Sequence, residues 1–217
     1  MELDHIFICV NKNAVEAELL TSIGLLEGSG NKHPGQGTAN RRFFFHNVML
    51  ELLWLENSDE AQSSVTQPTG LFERCSLNGQ QASPFGFCFR PSTSLESQAP
   101  FPSWQYQPQF FPPPLCVEVA KAPFSEPMWF YLSFISRPQP EKSKEPINHN
   151  LPLNYLTQAN FYMPLNNQVS ETVAVVNELA DFSIYSSDEQ FLELEFDQGK
   201  GHKQHDFRPA LPLVLKW

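Results

Sequence analysis

Strand-length apolar runs recur from one end of the chain to the other, and only two of them lead into a segment of helical periodicity. That order of elements constrains the fold more than any composition figure. Near the start, LDHIFICV (3–10) reads as a strand. AVEAELLTSIGLLE then places Val15, Leu19, Leu20 and Ile23 at helical spacing, with Asn13 as the expected N-cap and Gly24 as the stop. RRFFF and VMLELLWLE flank His46-Asn47, and a two-residue connection holding an Asn tolerant of positive φ predicts a tight antiparallel hairpin. Residues 1–57 therefore spell strand, helix, loop or strand, strand, strand.

The end of the chain repeats this grammar. LTQANFYM (156–163) reads as a strand, SETVAVVNELADF sets Val173, Val176 and Leu179 on one helical face, and FSIYSS, QFLELEFD and LPLVLKW follow as strands. Sliding one end over the other brings His5 onto Gln158 and Glu51 onto Glu193. The organisation expected is a first βαβββ module over 1–57, an insert over 58–154 and a second βαβββ-like module over 155–217, together one structural domain. The insert carries three further predicted strands, FGFCFR, LCVEVA and WFYLSFI, one helical turn at LFERC, and proline-rich stretches at 100–114 and 136–154. The fold class is α+β: paired βαβββ modules forming curled mixed sheets around a central cavity.

Composition narrows the partners. With 14 basic against 24 acidic residues and a net charge of -10, the chain lacks the clustered cations that phosphate neutralisation needs. A small-molecule ligand is expected rather than a nucleic acid or a membrane. MELDHIFICV has no secretory character and no apolar run approaches the ~20 residues of a membrane span, so the expected location is the cytoplasm. Four cysteines without a CxxC pair read as buried free thiols. Ser-His-Asp order, P-loop and dinucleotide glycine fingerprint are all missing, which removes hydrolase, nucleotide and dehydrogenase readings.

Residues 33–45, HPGQGTANRRFFF, run from a flexible loop straight into three phenylalanines. Gly35 and Gly37 permit positive φ or close backbone approach, while His33, Thr38 and Asn40 offer polar groups. Alternation sets Arg41, Phe43 and Phe45 on one face and Arg42, Phe44 and His46 on the other, one face lining a cavity. His33, Asn40, Arg41 and Phe43 are the expected ligand contacts from this strand; the alternative is a loop that merely closes a sheet edge. In PFPSWQYQPQFFPPP, rigid aromatics including Trp104 and Tyr106 stand on a stiff extended segment and read as a lid, or as packing against an outer sheet. His149, His202 and His205 read as solvated loop histidines.

Leu3-Asp4-His5, the loop His33 to Asn40 in the form H-P-G-x-G-T-x-N, and Leu50-Glu51-Leu52 closing the hairpin resemble the glyoxalase-like domain family. That family belongs to the vicinal oxygen chelate superfamily, with glyoxalase I, extradiol dioxygenases and bleomycin-resistance proteins. The resemblance covers about the first quarter of the chain; Gln107 stands where the family tends to carry an arginine. It implies a metal where inward side chains of the modules converge, with His5, Glu51 and Gln158 as ligands, and Glu51 and Glu193 as proton shuttles. His and carboxylate ligands suit Zn, Fe, Mn or Ni. The implied function is a metal-dependent lyase, isomerase or dioxygenase-like enzyme acting on a small molecule. The alternative is a metal-free module that binds a small molecule with a degenerate metal site, so a divalent metal and no cofactor stay equally open. Relatives that complete their barrels across a dimer make a homodimer a further expectation.

Overall fold

The apolar, aromatic run from Leu3 is extended and forms β1 (Glu2–Cys9), to which the next strands attach on both sides. A computed structural model of the protein describes residues 1–76, 82–165 and 169–217. After β1 come α1 (Ala17–Ser22), β2 (Asn31–His33), β3 (Thr38–Phe44), β4 (Met49–Leu55), α2 (Ser58–Ala61) and α3 (Leu71–Cys75). Then follow β5 (Phe85–Arg90), β6 (Ser103–Tyr106), β7 (Val117–Ala120) and β8 (Met128–Tyr131). The last part holds β9 (Leu156–Met163), α4 (Glu171–Val176), β10 (Phe182–Ser186), β11 (Phe191–Phe196), β12 (Gln204–Asp206) and β13 (Leu213–Lys216). The connector expected around residues 58–82 thus holds α2 and α3; its residues 77–81 lie outside those described.

The fold is α+β, with few short helices and two open mixed sheets. Among the described residues, one sheet has eight strands in the order β2-β3-β4-β1-β5-β8-β7-β6 and the other has five in the order β10-β9-β11-β13-β12. The expected module boundaries are corrected by this order. Strands β5 to β8 lie in the segment read as an insert, yet they complete the first sheet, because β5 pairs antiparallel with the free edge of β1. The C-terminal strands form the separate second sheet. Burial explains the assignment: every residue of FGFCFR is buried, as a strand covered on both faces requires, whereas most of LTQANFYM alternates buried and half-buried positions, as a strand with one face on the core does.

Two details of the turns follow from single residues. Asn13 does not cap α1; it takes φ 69°, and the helix begins at Ala17 after Glu16 has bonded Asn11. Asn47 of the hairpin does more than turn the chain. Its amide exchanges two hydrogen bonds with the backbone of Leu156, at 2.8 and 2.9 Å, and so fixes the start of β9 to the first sheet. Gly86 is required by packing, since a Cβ there would lie 2.0 Å from the ring of Phe7, its cross-strand neighbour.

The second sheet covers one face of the first. Phe87 of β5 has its ring centroid 5.1 Å from Trp129, 5.1 Å from Phe161 and 5.0 Å from Phe182, so residues of both sheets meet around it. Ile6 and Ile8 belong to this shared core, while Phe7 and Cys9 point to the opposite face with Leu53, Tyr106, Val117 and Phe130. Phe87 is fully buried. Truncating it leaves a cavity at the sheet-sheet junction, and Phe87→Ala is expected to lose about 3–5 kcal/mol in urea denaturation. An unchanged midpoint would show that the two sheets do not pack through this ring.

Candidate functional site

The face of the first sheet turned away from the second bears a cavity of about 280 Å³. Strand register explains its wall. Phe7 of β1 and Arg42 of β3 are both cross-strand neighbours of Glu51 on β4, so all three side chains leave the sheet on one face, with His5 one pleat along from Phe7. Met49 and Leu53 flank Glu51 on the same strand, Met128 and Phe130 come from β8, and Tyr106, Phe110 and Phe111 close the far side. The lining is mostly apolar with a few convergent polar groups, the usual make-up of a small-molecule pocket.

His5 is held from behind. Pairing between β1 and β5 slips between Leu3 and His5, and this irregularity leaves Asp4 beside His5, with a carboxylate oxygen 2.7 Å from the imidazole Nδ1. Asp4 is in turn ion-paired to Arg90, only 1% exposed, whose guanidinium also donates to the carbonyl of Asn47 at 3.2 Å. The edge of the His5 ring meets Phe130 at 5.4 Å. Burial alone lowers the pKa of His5; the neighbouring Cys88, the hydrogen bond to Asp4 and the charge of Glu51 outweigh it and raise the pKa well above the ordinary value.

His33 is set the opposite way. Its Nδ1 lies 2.9 Å from the Thr38 hydroxyl and its ring 5.2 Å from that of Phe110. Burial lowers its pKa, and the charges of Arg42 and His5 push it further down against the attraction of Glu51. The loop that carries His33 turns at Gly37, where φ is 76° and an added Cβ would sit 2.2 Å from the Asn57 carbonyl. That clash explains the glycine in the HPGQGT stretch.

Glu51 is 8% exposed, and no hydrogen bond or ion pair to it occurs among the described residues. A buried carboxylate normally has such partners because losing its hydration costs several kcal/mol. Glu51 instead opens onto the cavity.

The residues expected at the site divide as follows. His5, His33, Glu51 and Tyr106 border the cavity. Asn40 stands just behind it, its side-chain oxygen accepting the Asn31 N–H at 2.7 Å and so supporting the β2 edge. Arg41 and Phe43 are corrected, because they alternate to the other face: Arg41 binds Glu27 and Glu18, and Phe43 is fully buried in the shared core. Trp104 is also corrected; it borders a separate cleft with Arg74 and Phe124. Gln158 and Glu193 lie on the second sheet, where Gln158 bonds Asn160 and Ser183, and Glu193 pairs with Lys216 at 2.7 Å. Sliding the chain ends over one another had matched strands that never share a sheet.

Asp4, Arg90, Gln36 and Phe130 belong to the site or its support without having been assigned there from sequence. Asp4 carried a signal in its adjacency to His5. Arg90 carried a weaker one, as a charge closing an otherwise apolar run.

The donors implied by the resemblance do not converge on one metal position, since Gln158 and Glu193 are on the other sheet. Among the described residues, the one group of three His, Cys, Asp or Glu ligand atoms lying within 4.8 Å of each other is Asp4, His5 and Cys88. Asp4 is committed to Arg90 and His5, and burial pushes the Cys88 thiol up to about 11, which keeps it protonated at neutral pH. A metal at this place would have to take Asp4 from its ion pair with Arg90 and its hydrogen bond to His5, so these residues do not form a preformed metal centre.

No known protein family's sequence profile matches the chain, and no characterised protein matches it in sequence. Its fold is similar to a crystal structure of a hypothetical protein from Staphylococcus aureus, at 11% identity and a TM-score of 0.59, over 99% of this chain and 98% of that one. At that identity the likeness shows the fold alone.

The two cavity histidines are expected to titrate on opposite sides of 6.5 by NMR, His5 above and His33 below. A raised folded-state pKa stabilises the protein fully below the unfolded value and loses that contribution as pH rises through the folded value. Urea stability of the wild type should therefore fall as pH rises above about 6.5, and His5→Gln should flatten that fall. A His5 midpoint below 6.5 contradicts the Asp4 and Glu51 environment described.

Proposed function

We propose that the chain is a small-molecule binding protein of the glyoxalase-like kind, working without a resident metal, whose first sheet curves around the cavity that holds the ligand. The observation that carries this reading is Glu51: a carboxylate that bonds no group among the described residues and whose side chain opens onto an apolar cavity beside His5. A ligand with an O–H or N–H group supplies the missing donor, and its aromatic or aliphatic body packs on Phe7, Leu53, Phe110 and Phe130. His5, whose pKa is raised, favours an electron-rich group at the same end of the ligand, and His33, whose pKa is lowered, offers a hydrogen-bonding ring at the rim. A volume of about 280 Å³ suits a ligand of one or two rings rather than a polymer.

A second reading, a metal-dependent lyase, isomerase or dioxygenase, is favoured by one observation: His5 and Glu51 border the same cavity. The two readings separate in a calorimetric titration with Zn(II), Mn(II), Ni(II) and Fe(II). Metal binding that both His5→Ala and Glu51→Gln abolish favours the enzyme reading; heats unaffected by either variant leave the binding protein.

Binding itself is tested with 1-naphthylamine, a neutral two-ring aromatic amine whose fluorescence responds to an apolar site. The wild type is expected to bind it saturably, Val117→Trp to block binding by filling the cavity, and Glu51→Gln to weaken it about tenfold, as loss of one charge-assisted hydrogen bond does. Unaltered binding by Val117→Trp would place the probe elsewhere and remove this reading.

A further inference from the structure

Cys9 ends β1 and Cys75 ends α3, 66 residues apart in sequence, and their sulfurs are 2.6 Å from one another. A covalent S–S bond is about 2.05 Å. The other two cysteines stand apart from this pair: the Cys88 sulfur lies against the Phe89 carbonyl at 3.6 Å, and Cys116 is half-buried before β7. We propose that Cys9 and Cys75 form a reversible disulfide, a redox link that ties α3 to the end of β1 and so fixes one wall of the ligand cavity.

The link to the cavity is direct. Leu71, at the other end of the five-residue α3, and Phe7, two residues before Cys9, both border the cavity. Both thiols are buried, so an oxidant must reach them through local opening of α3, whose N-terminus has no side-chain cap. Burial and the hydrogen bond to Cys75 raise the pKa of the Cys9 thiol, while the buried guanidinium of Arg74 acts against them. The chemistry balances with a peroxide. One thiolate attacks hydrogen peroxide to give a sulfenic acid and hydroxide, which takes up a proton to become water. The second sulfur then attacks the sulfenic sulfur, its thiol proton leaving with the departing hydroxyl as water. Two thiols and one peroxide become one disulfide and two waters. A small-molecule dithiol reverses the reaction by exchange.

The test uses the full chain, reduced, treated with hydrogen peroxide, denatured, alkylated and digested without reductant for mass spectrometry. The expected product joins the Cys9 and Cys75 peptides, leaves Cys88 and Cys116 alkylated, and separates again on dithiothreitol treatment. The oxidised wild type should melt roughly 5 to 15 °C higher than the reduced form, a shift absent in Cys75→Ser and kept in Cys116→Ser. If Cys75→Ser does not fold, the linkage map of the wild type decides alone. Alkylation of both Cys9 and Cys75 after peroxide, or a link from either one to Cys88 or Cys116, overturns the proposal.

Discussion

Strand β1 is hydrogen-bonded on both edges, parallel to β4 and antiparallel to β5, and both of its faces are committed. Ile6 and Ile8 enter the core beneath the second sheet; His5 and Phe7 stand at the cavity. A slip of one residue in its pairing would send the histidine into the aromatic core and the isoleucines into the pocket. The irregularity at Asp4 and the buried Asp4–Arg90 ion pair guard that register, because Arg90 closes β5 opposite Glu2, the first residue of β1, and its guanidinium reaches Asp4 two residues on. Each charge has a second partner in the same cluster, Arg90 with Glu2 at 3.7 Å and Asp4 with His5 at 2.7 Å, so the pair is one link of a network at this end of the sheet.

The site depends on this arrangement in a second way. The second sheet backs the wall that carries His5 and Glu51, and rings such as Phe87, Trp129 and Phe161 interlock behind it. A wall packed on its far side keeps its side chains in place, so the protein can leave Glu51 without a partner. An unpartnered carboxylate on a surface strand would bend out to water. On this packed strand the Glu51 side chain opens onto the cavity.

Much of the first unit was legible in the sequence. Glu51 stood out as the lone carboxylate of the apolar strand MLELLWL, and the glycines of HPGQGT marked a loop forced close to other backbone. The partner of that unit was misread for a physical reason. Similarity between LDHIFICV and LTQANFYM is local, whereas pairing is decided by which strand can bury both faces, and that property belonged to FGFCFR. The same blindness sent Arg41 and Phe43 to the cavity: alternation separates two faces but does not say which is inner, and only the Glu27 and Glu18 carboxylates beside Arg41 settle it. Asp4 and Arg90 each carried a local signal, but their ion pair was beyond reach because a link between two strands cannot be seen before the strands are paired.

The central claim is that the cavity on the exposed face of the first sheet, and not the junction between the sheets, receives a small molecule. Four methionines report on it: Met49 and Met128 border the cavity, Met163 lies 2% exposed in the core between the sheets, and Met1 starts the chain. Methyl-labelled methionine NMR during titration with neutral aromatic fragments such as indole and 2-naphthol separates these places directly. Saturable shifts of Met49 and Met128 on one binding curve, with Met163 unmoved, are the expected result; a response confined to Met163, or none at Met49 and Met128 with any fragment, contradicts the account.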